Sequence, residues 1–192
     1  MTGNAGMATP APLVQVCVFC GSSPGLRPSF TQAAFRLGTA LAERGIGLVY
    51  GGASVGLMGV IADAALAAGG SVRGVITESL ADHEIVHNGL TQLDVVTTMH
   101  QRKARMAELS DAVIMLPGGF GTYEEFMESV TWVQLGIHQM PSGILNVDGF
   151  YDDLLAFLDH AVRMEFIRPH QVSALTVTDD VDALINALTT PA

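Results

Sequence analysis

The sequence predicts an α/β protein in which helices cover both faces of one parallel sheet. Three observations carry this reading. Apolar runs rich in β-branched residues alternate with segments of helical periodicity; the runs are nearly continuous, as in strands buried on both faces; and glycines collect where the runs end. The first strand is expected over Val14 to Cys20, followed by Gly21-Ser22-Ser23 and a helix from about Pro28 to Arg44. A second strand, Gly47 to Tyr50, leads through the glycine-rich turn Gly51 to Gly56 into a helix from about Leu57 to Ala68, and a third follows over Val72 to Thr77. After a loop come Leu93 to Val96, a helix from about Met99 to Leu109, and the strand Ala112 to Leu116. A helix beginning near Thr122 and running to about Leu135, the strand Gly143 to Val147, a helix from Tyr151 to Met164, and a closing strand and helix complete the pattern. In such folds ligands sit outside the carboxyl ends of the strands.

At 192 residues, 49% of them hydrophobic, the chain has the material for one domain with a well-buried core, expected over residues 13–190. A formal net charge of -10 leaves no basic stripe to displace counterions, so polymeric nucleic acid is not an expected ligand. Residues 1–12 contain neither Lys nor Arg and no continuous apolar stretch; they read as a disordered leader, not a secretory signal, and a cytoplasmic location is expected. The uncharged stretch Gly45 to Ala62 contains six glycines and reads as strand, loop and helix start, so no membrane span is expected. Cys17 and Cys20 have CxxC spacing but fall on a strand, where positions three apart face opposite ways, and read as core or pocket-edge thiols.

The most informative segment is Pro117 to Glu125, Pro-Gly-Gly-Phe-Gly-Thr-Tyr-Glu-Glu, in which a strand end enters a glycine turn and then a helix. Glycines let backbone amides approach an anion, and a helix N-terminus adds unpaired donors and the positive end of its dipole, so the segment reads as a phosphate cradle. The second is Thr97 to Met106. Thr98 and Gln101 have capping-box spacing, which places Arg102 and Lys103 in the first turns of a helix, where each cation costs about 0.3 to 1 kcal/mol against the macrodipole. Either these residues, with Arg105, attract an anionic ligand, or they form a solvated, ion-paired face. Glu125 likewise has two readings: Thr122-Tyr123-Glu124-Glu125 has capping-box spacing, and a glutamate at the mouth of a phosphate cradle can contact a ribose or orient water.

Other motifs carry less. His83-Glu84-Ile85-Val86-His87 matches HExxH, but its β-branched centre, the Asn88-Gly89 turn directly after it and the lack of a further ligand motif speak against a helical zinc site, and no metal is expected. GxxxxGK[ST] and GxGxxG are both absent. Glu78 and Asp148 stand near strand ends where a ribose acceptor belongs, which leaves a longer cofactor as an alternative; a mononucleotide is the simpler ligand, and no cofactor is expected.

Taken together, Gly51-Gly52 to Gly59, Met99-His100-Gln101-Arg102-Lys103, Pro117 to Glu125 and Thr131-Trp132-Val133-Gln134-Leu135-Gly136-Ile137-His138 resemble the LOG family of cytokinin riboside 5'-monophosphate phosphoribohydrolases, from about Val14 onward. The resemblance implies a Rossmann-like homodimer that hydrolyses the N-glycosidic bond of AMP or an N6-substituted adenosine 5'-monophosphate, releasing free base and ribose 5-phosphate. By position it implies Arg102 and Glu125 as the catalytic pair. Glu84, Met99, Lys103, Gly118, Gly119, Phe120, Gly121, Thr122, Tyr123, Glu124 and Thr131 would contact substrate, with Ser22 and Gly52 completing the pocket. A carboxylate below the sugar can stabilise an oxocarbenium-like ribose and position or deprotonate water, while an arginine, always protonated, acts electrostatically. The alternative is a non-catalytic nucleotide-binding module.

Relatives of this family often carry a lysine decarboxylase label. A pyridoxal-phosphate enzyme needs a Schiff-base lysine, and Lys103 is the only lysine in the chain. Its place between arginine-bearing turns makes it a poor candidate, and the label is expected to be a misnomer.

Overall fold

Residues 14–81 and 86–189 are described by a computed structural model. Among them, seven strands form one sheet: β1 (Gln15–Phe19), β2 (Gly47–Tyr50), β3 (Val72–Thr77), β4 (Gln92–Val96), β5 (Ala112–Met115), β6 (Ser142–Leu145) and β7 (Leu175–Thr178). All pairings are parallel, in the order β4-β3-β2-β1-β5-β6-β7. The longer helices are α1 (Pro28–Glu43), α2 (Gly56–Ala67), α4 (Met99–Glu108), α5 (Phe120–Gln134), α6 (Asp152–Arg163) and α8 (Val181–Thr189); α3 (Glu78–Ala81) and α7 (Pro169–Ser173) are single turns.

The side-chain alternation of β1 shows how the sheet acquires two cores. Val16 and Val18 face a cluster with Leu37 and Leu41 of α1, Leu57 and Ile61 of α2, and Leu184 and Leu188 of α8. Cys17 and Phe19 face the other way, toward Met106 of α4, Phe126 of α5 and Tyr151, which directly precedes α6. Each such fully buried side chain contributes about 1.5 to 3 kcal/mol relative to exposure, which is why these strands carry no polar face. The doubly covered parallel sheet expected from the sequence is therefore the fold. Cys17 and Cys20 fall in different cores, as a strand requires. No helix of the described residues is long and apolar enough to cross a membrane. The leader expected over residues 1–12 lies outside the described residues.

Three local expectations need correction. The helix expected from near Thr122 begins at Phe120, with Gly119 as an N-cap that supplies no side-chain hydrogen bond. Thr122 is therefore already inside α5, and its hydroxyl packs so closely on Gly118 that a Cβ there would lie 2.1 Å from it. The capping box read into Thr122 and Glu125 does not exist, because Gly119, with no Cβ and an extended backbone, starts the helix earlier. The loop before Leu93 contains the short α3, and the segment before the last strand contains α7; at four and five residues neither is long enough to show a helical period. Finally, β6 stops at Leu145 because the chain turns into a 3-10 segment, Val147–Gly149, in which Asp148 takes a φ of 53°.

Candidate active site

The strand order reverses direction between β1 and β5. From β1 the chain steps outward through β2, β3 and β4; α4 then carries it back to β5 on the other side of β1. A crevice outside the carboxyl ends of strands opens at such a point. Here it is lined by tightly joined turns. The Gly21 amide donates to the Pro117 carbonyl at 3.0 Å, and the Leu57 amide at the start of α2 donates to the Gly21 carbonyl at 3.0 Å. The turns after β1, β2 and β5 thus form one floor.

Above that floor stands the N-terminus of α5. The Tyr123 amide is the first to bond back, to the Gly119 carbonyl at 3.1 Å, so the amides of Phe120, Gly121 and Thr122 precede the helical ladder and remain available to an anion. Gly119 and Gly121 are exposed, and a Cβ built on either would meet nothing within 4 Å. The Phe120 side chain is 94% exposed.

Arg102 reaches this place from α4, whose N-terminus is fixed by the capping box of Thr98 and Gln101 expected from their spacing. Its guanidinium is held on three sides: Nε donates to the Val75 carbonyl at 2.8 Å, Nη2 to the Gly51 carbonyl at 3.3 Å, and Nη1 to Glu125 Oε1 at 2.9 Å. The Met99 sulfur lies 3.9 Å from Nη1. The side chains of the pair are 7% and 12% exposed. Arginine suits the position because its planar fork can serve three acceptors and stays charged when desolvated. Gly51 makes room for it, since a Cβ there would stand 2.4 Å from Nη2.

Lys103, the next residue, faces elsewhere. Its ammonium pairs with Glu124 and with Glu128, the latter at 3.0 Å, one turn apart on α5. Burial works against its charge, but hydrogen bonds and attraction from the two carboxylates prevail and raise its pKa above the ordinary lysine value. It is a closed ion cluster that clamps α4 to α5. Burial first, and the nearby negative charge of Glu125 second, push the Cys17 and Cys20 thiols above the ordinary range.

The remaining residues singled out in the sequence divide clearly. Ser22 is exposed beside the floor, its backbone pressed against Gly56, and Gly52 is buried with φ 85° and accepts from the His87 amide at 3.0 Å. Tyr123 is half-buried and meets Tyr151 edge to face at 6.1 Å. Thr131 stands apart: it is exposed nine residues along α5 from Thr122, and its hydroxyl donates back to Met127. Glu84 and His83 lie outside the described residues. His87 accepts the Gly89 amide on Nδ1 and contacts Asp63 through Nε2, so both ring nitrogens are occupied. Asp148 is engaged by Ser29 and Arg27. Sequence reasoning missed the Gly51 and Val75 carbonyls and Glu128; the i,i+4 spacing of Glu124 and Glu128 was the one available signal.

A parallel seven-stranded sheet covered by helices, with an open helix N-terminus and an arginine–carboxylate pair at its topological switch, defines a Rossmann-like α/β protein. By fold it is similar to the molybdenum cofactor binding protein of Rippkaea orientalis, with a TM-score of 0.69 over 91% of this chain and 94% of that one at 23% identity. The profile of a family described as "Possible lysine decarboxylase" matches residues 58–188. A probable cytokinin riboside 5'-monophosphate phosphoribohydrolase of Oryza sativa subsp. japonica is 55% identical over 155 residues, which are 81% of this chain and 63% of the rice protein. A cytokinin riboside 5'-monophosphate phosphoribohydrolase of Rhodococcoides fascians is 49% identical over 191 residues, covering 99% of this chain and 96% of that protein. The chain belongs to the LOG family, the cytokinin riboside 5'-monophosphate phosphoribohydrolases, and not to the pyridoxal-phosphate lysine decarboxylases. Lys103 fits that assignment: its buried, doubly paired and firmly protonated amine is unsuited to attack a carbonyl.

Proposed function

We propose that this chain hydrolyses the N-glycosidic bond of adenine-type nucleoside 5'-monophosphates, cytokinin riboside monophosphates and AMP among them, giving free base and ribose 5-phosphate. The observation that carries the reading is the Arg102–Glu125 pair, 2.9 Å apart and directly behind the open N-terminus of α5. A monophosphate bound at the amides of residues 120–122 is anchored by backbone donors and the helix dipole, and that remote binding energy holds the ribose above the carboxylate. As the C1'–N bond breaks, its electron pair leaves with the base and the sugar becomes oxocarbenium-like. Glu125 stabilises that charge and takes a proton from the attacking water as its oxygen bonds to C1', while the departing base takes a proton from solvent, to which Glu125 afterwards returns its own. Arg102 acts as a fixed positive charge that holds Glu125 in place and stabilises negative charge developing on the base or borne by the phosphate. Ser22, Gly52, Met99, Gly118, Gly119, Phe120, Gly121, Thr122 and Tyr123 remain the substrate-contact set proposed with them, together with Glu84; Lys103, Glu124 and Thr131 are kept in that set on the family resemblance alone, since in this structure the first two are paired in the clamp and Thr131 lies farther along α5. We extend the proposal to a homodimer, supported by family membership and by the exposed apolar side chains of Leu135 and Ile137 next to Thr131.

The test is base release. Incubated separately with AMP and with its N6-prenylated analogue, the protein is expected to liberate adenine or the prenylated base, read by chromatography. Glu125→Gln, whose amide oxygen can still accept from Arg102, is expected to lower kcat by about 100- to 10,000-fold while retaining nucleotide binding. If the native protein releases base from neither nucleotide, the buried pair is structural and the crevice belongs to a binding module.

A further inference from the structure

Behind the Arg102–Glu125 pair, a narrow pocket of about 10 Å³ lies between α4, α5 and the sheet. Phe19, Val113, Trp132 and Met140 give it apolar walls, and Lys103, Glu125, Glu128 and Ser129 bring polar groups to it. Ser129 is the anomaly. It is 6% exposed, and its Oγ is buried without a hydrogen-bond partner among the described residues. Helical serines and threonines ordinarily relieve such a hydroxyl by donating to the carbonyl one turn back. Thr131 of the same helix does so to Met127 at 2.7 Å, and Ser110, just past the end of α4, does so to Met106 at 2.8 Å; Ser129 does not.

An unsatisfied buried hydroxyl costs about 1 to 3 kcal/mol, so a partner is expected wherever the surroundings admit one. The pocket admits one water molecule and nothing larger, since a cavity of about 10 to 15 Å³ on this measure is the least that holds one. Glu125 and Ser129 are four residues apart on one helix, so they share a face with Cβ atoms about 5 to 6 Å apart, a gap that a single water bridges. A cation is not the natural occupant, because the Lys103 ammonium already supplies the positive charge beside Glu128.

We propose that this pocket is a binding site for one internal water that accepts from or donates to Ser129 Oγ and donates to the Glu125 carboxylate, making Ser129 a positioning residue for Glu125. The proposal rests on the catalytic reading of Glu125. A hydrogen bond donated to the charged carboxylate favours its ionised form, so the water keeps Glu125 competent as a base toward lower pH. It also gives the carboxylate a further fixed contact, as positioning of a catalytic base requires.

The experiment pairs a high-resolution crystal structure of the full chain with Ser129→Ala kinetics and thermal unfolding. Expected is an ordered water within hydrogen-bonding distance of both Ser129 Oγ and a Glu125 oxygen. In Ser129→Ala, kcat for base release is expected to fall about three- to tenfold at unchanged KM, with the acid limb of its pH profile moving up by about half to one unit. A dry pocket overturns the proposal. So does a Ser129→Ala profile superimposable on the native one, and so does an unmoved acid limb beside a higher Tm, the mark of a hydroxyl that was simply unsatisfied. Failure of the catalytic reading is distinguishable, because it appears as base release surviving in Glu125→Gln, whereas the crystallographic result does not depend on turnover.

Discussion

The glycine turns after β2 and after β5 look alike in sequence but answer to different demands. After β2, the fold itself requires glycine. Gly56 has a φ of 58°, and a Cβ on it would stand 2.2 Å from the Ser22 carbonyl carbon, while one on Gly51 would strike the Arg102 guanidinium. After β5, Gly119 and Gly121 have neither a left-handed backbone nor a neighbour within 4 Å. Gly119 serves as the N-cap of α5, where glycine is favoured, whereas nothing among the described residues accounts for the missing side chain of Gly121, which under the proposed function leaves the backbone open to the substrate phosphate. Packing glycines build the floor, Gly118 of the second turn among them, since a Cβ there would meet the Thr122 hydroxyl at 2.1 Å.

Arg102 joins the two turns, donating to the Gly51 carbonyl and to Glu125 of α5, so its removal should break the comparison most severely. Arg102→Ala takes the guanidinium from a largely buried carboxylate and from two carbonyls, and is expected to cost about 3 to 5 kcal/mol in urea denaturation as well as base release. Next comes Gly56→Ala, which combines left-handed backbone strain with an unavoidable clash; a loss of roughly 2 to 4 kcal/mol is expected in the same measurement. A fully stable Gly56→Ala protein would mean that the floor is not as tightly joined as described.

Gly121→Ala sharpens the contrast because stability and function should part. Alanine in the first helical turn adds about 0.5 to 1 kcal/mol of stability, while its methyl intrudes on the anion and lowers kcat/KM on the order of 100-fold. Unchanged kcat/KM would mean that the open space serves no ligand. The smallest effect lies outside both turns. Burial lowers the pKa of His138 below its ordinary 6.5, so the unfolded chain binds more protons as pH falls past that value. Its contribution is complete above pH 6.5 and is lost as the pH drops toward the folded-state value. His138→Gln should therefore flatten the stability curve between about pH 7 and 5, measured by urea midpoints.

Much of this was legible in the sequence, for identifiable reasons. The five inner strands are short, nearly continuous apolar runs, because burial on both faces imposes that composition, whereas the edge strands β4 and β7 are half-exposed and carry polar residues. The capping box of Thr98 and Gln101 is local chemistry within four residues, and it formed as expected. The start of α5 was misplaced because the sequence offered Thr122 as a side-chain cap, whereas the backbone of Gly119 does the work without one. Two equally weighted readings of Glu125 could be narrowed only by its partner, 23 residues away on another helix. That contact depends on α4 crossing from β4 to β5, and so on strand order, which no local pattern encodes. For the same reason no local pattern separates the neighbours Arg102 and Lys103, of which the first reaches the crevice and the second forms the clamp.

That clamp has a practical consequence. The only ε-amine of the chain is sequestered between two helices and held protonated by two glutamates, so acylating reagents should find no lysine on the folded surface. Modification of Lys103 then becomes a clock for opening of the α4–α5 seam: mass spectrometry of a timed acylation would count opened molecules one by one, without any introduced probe.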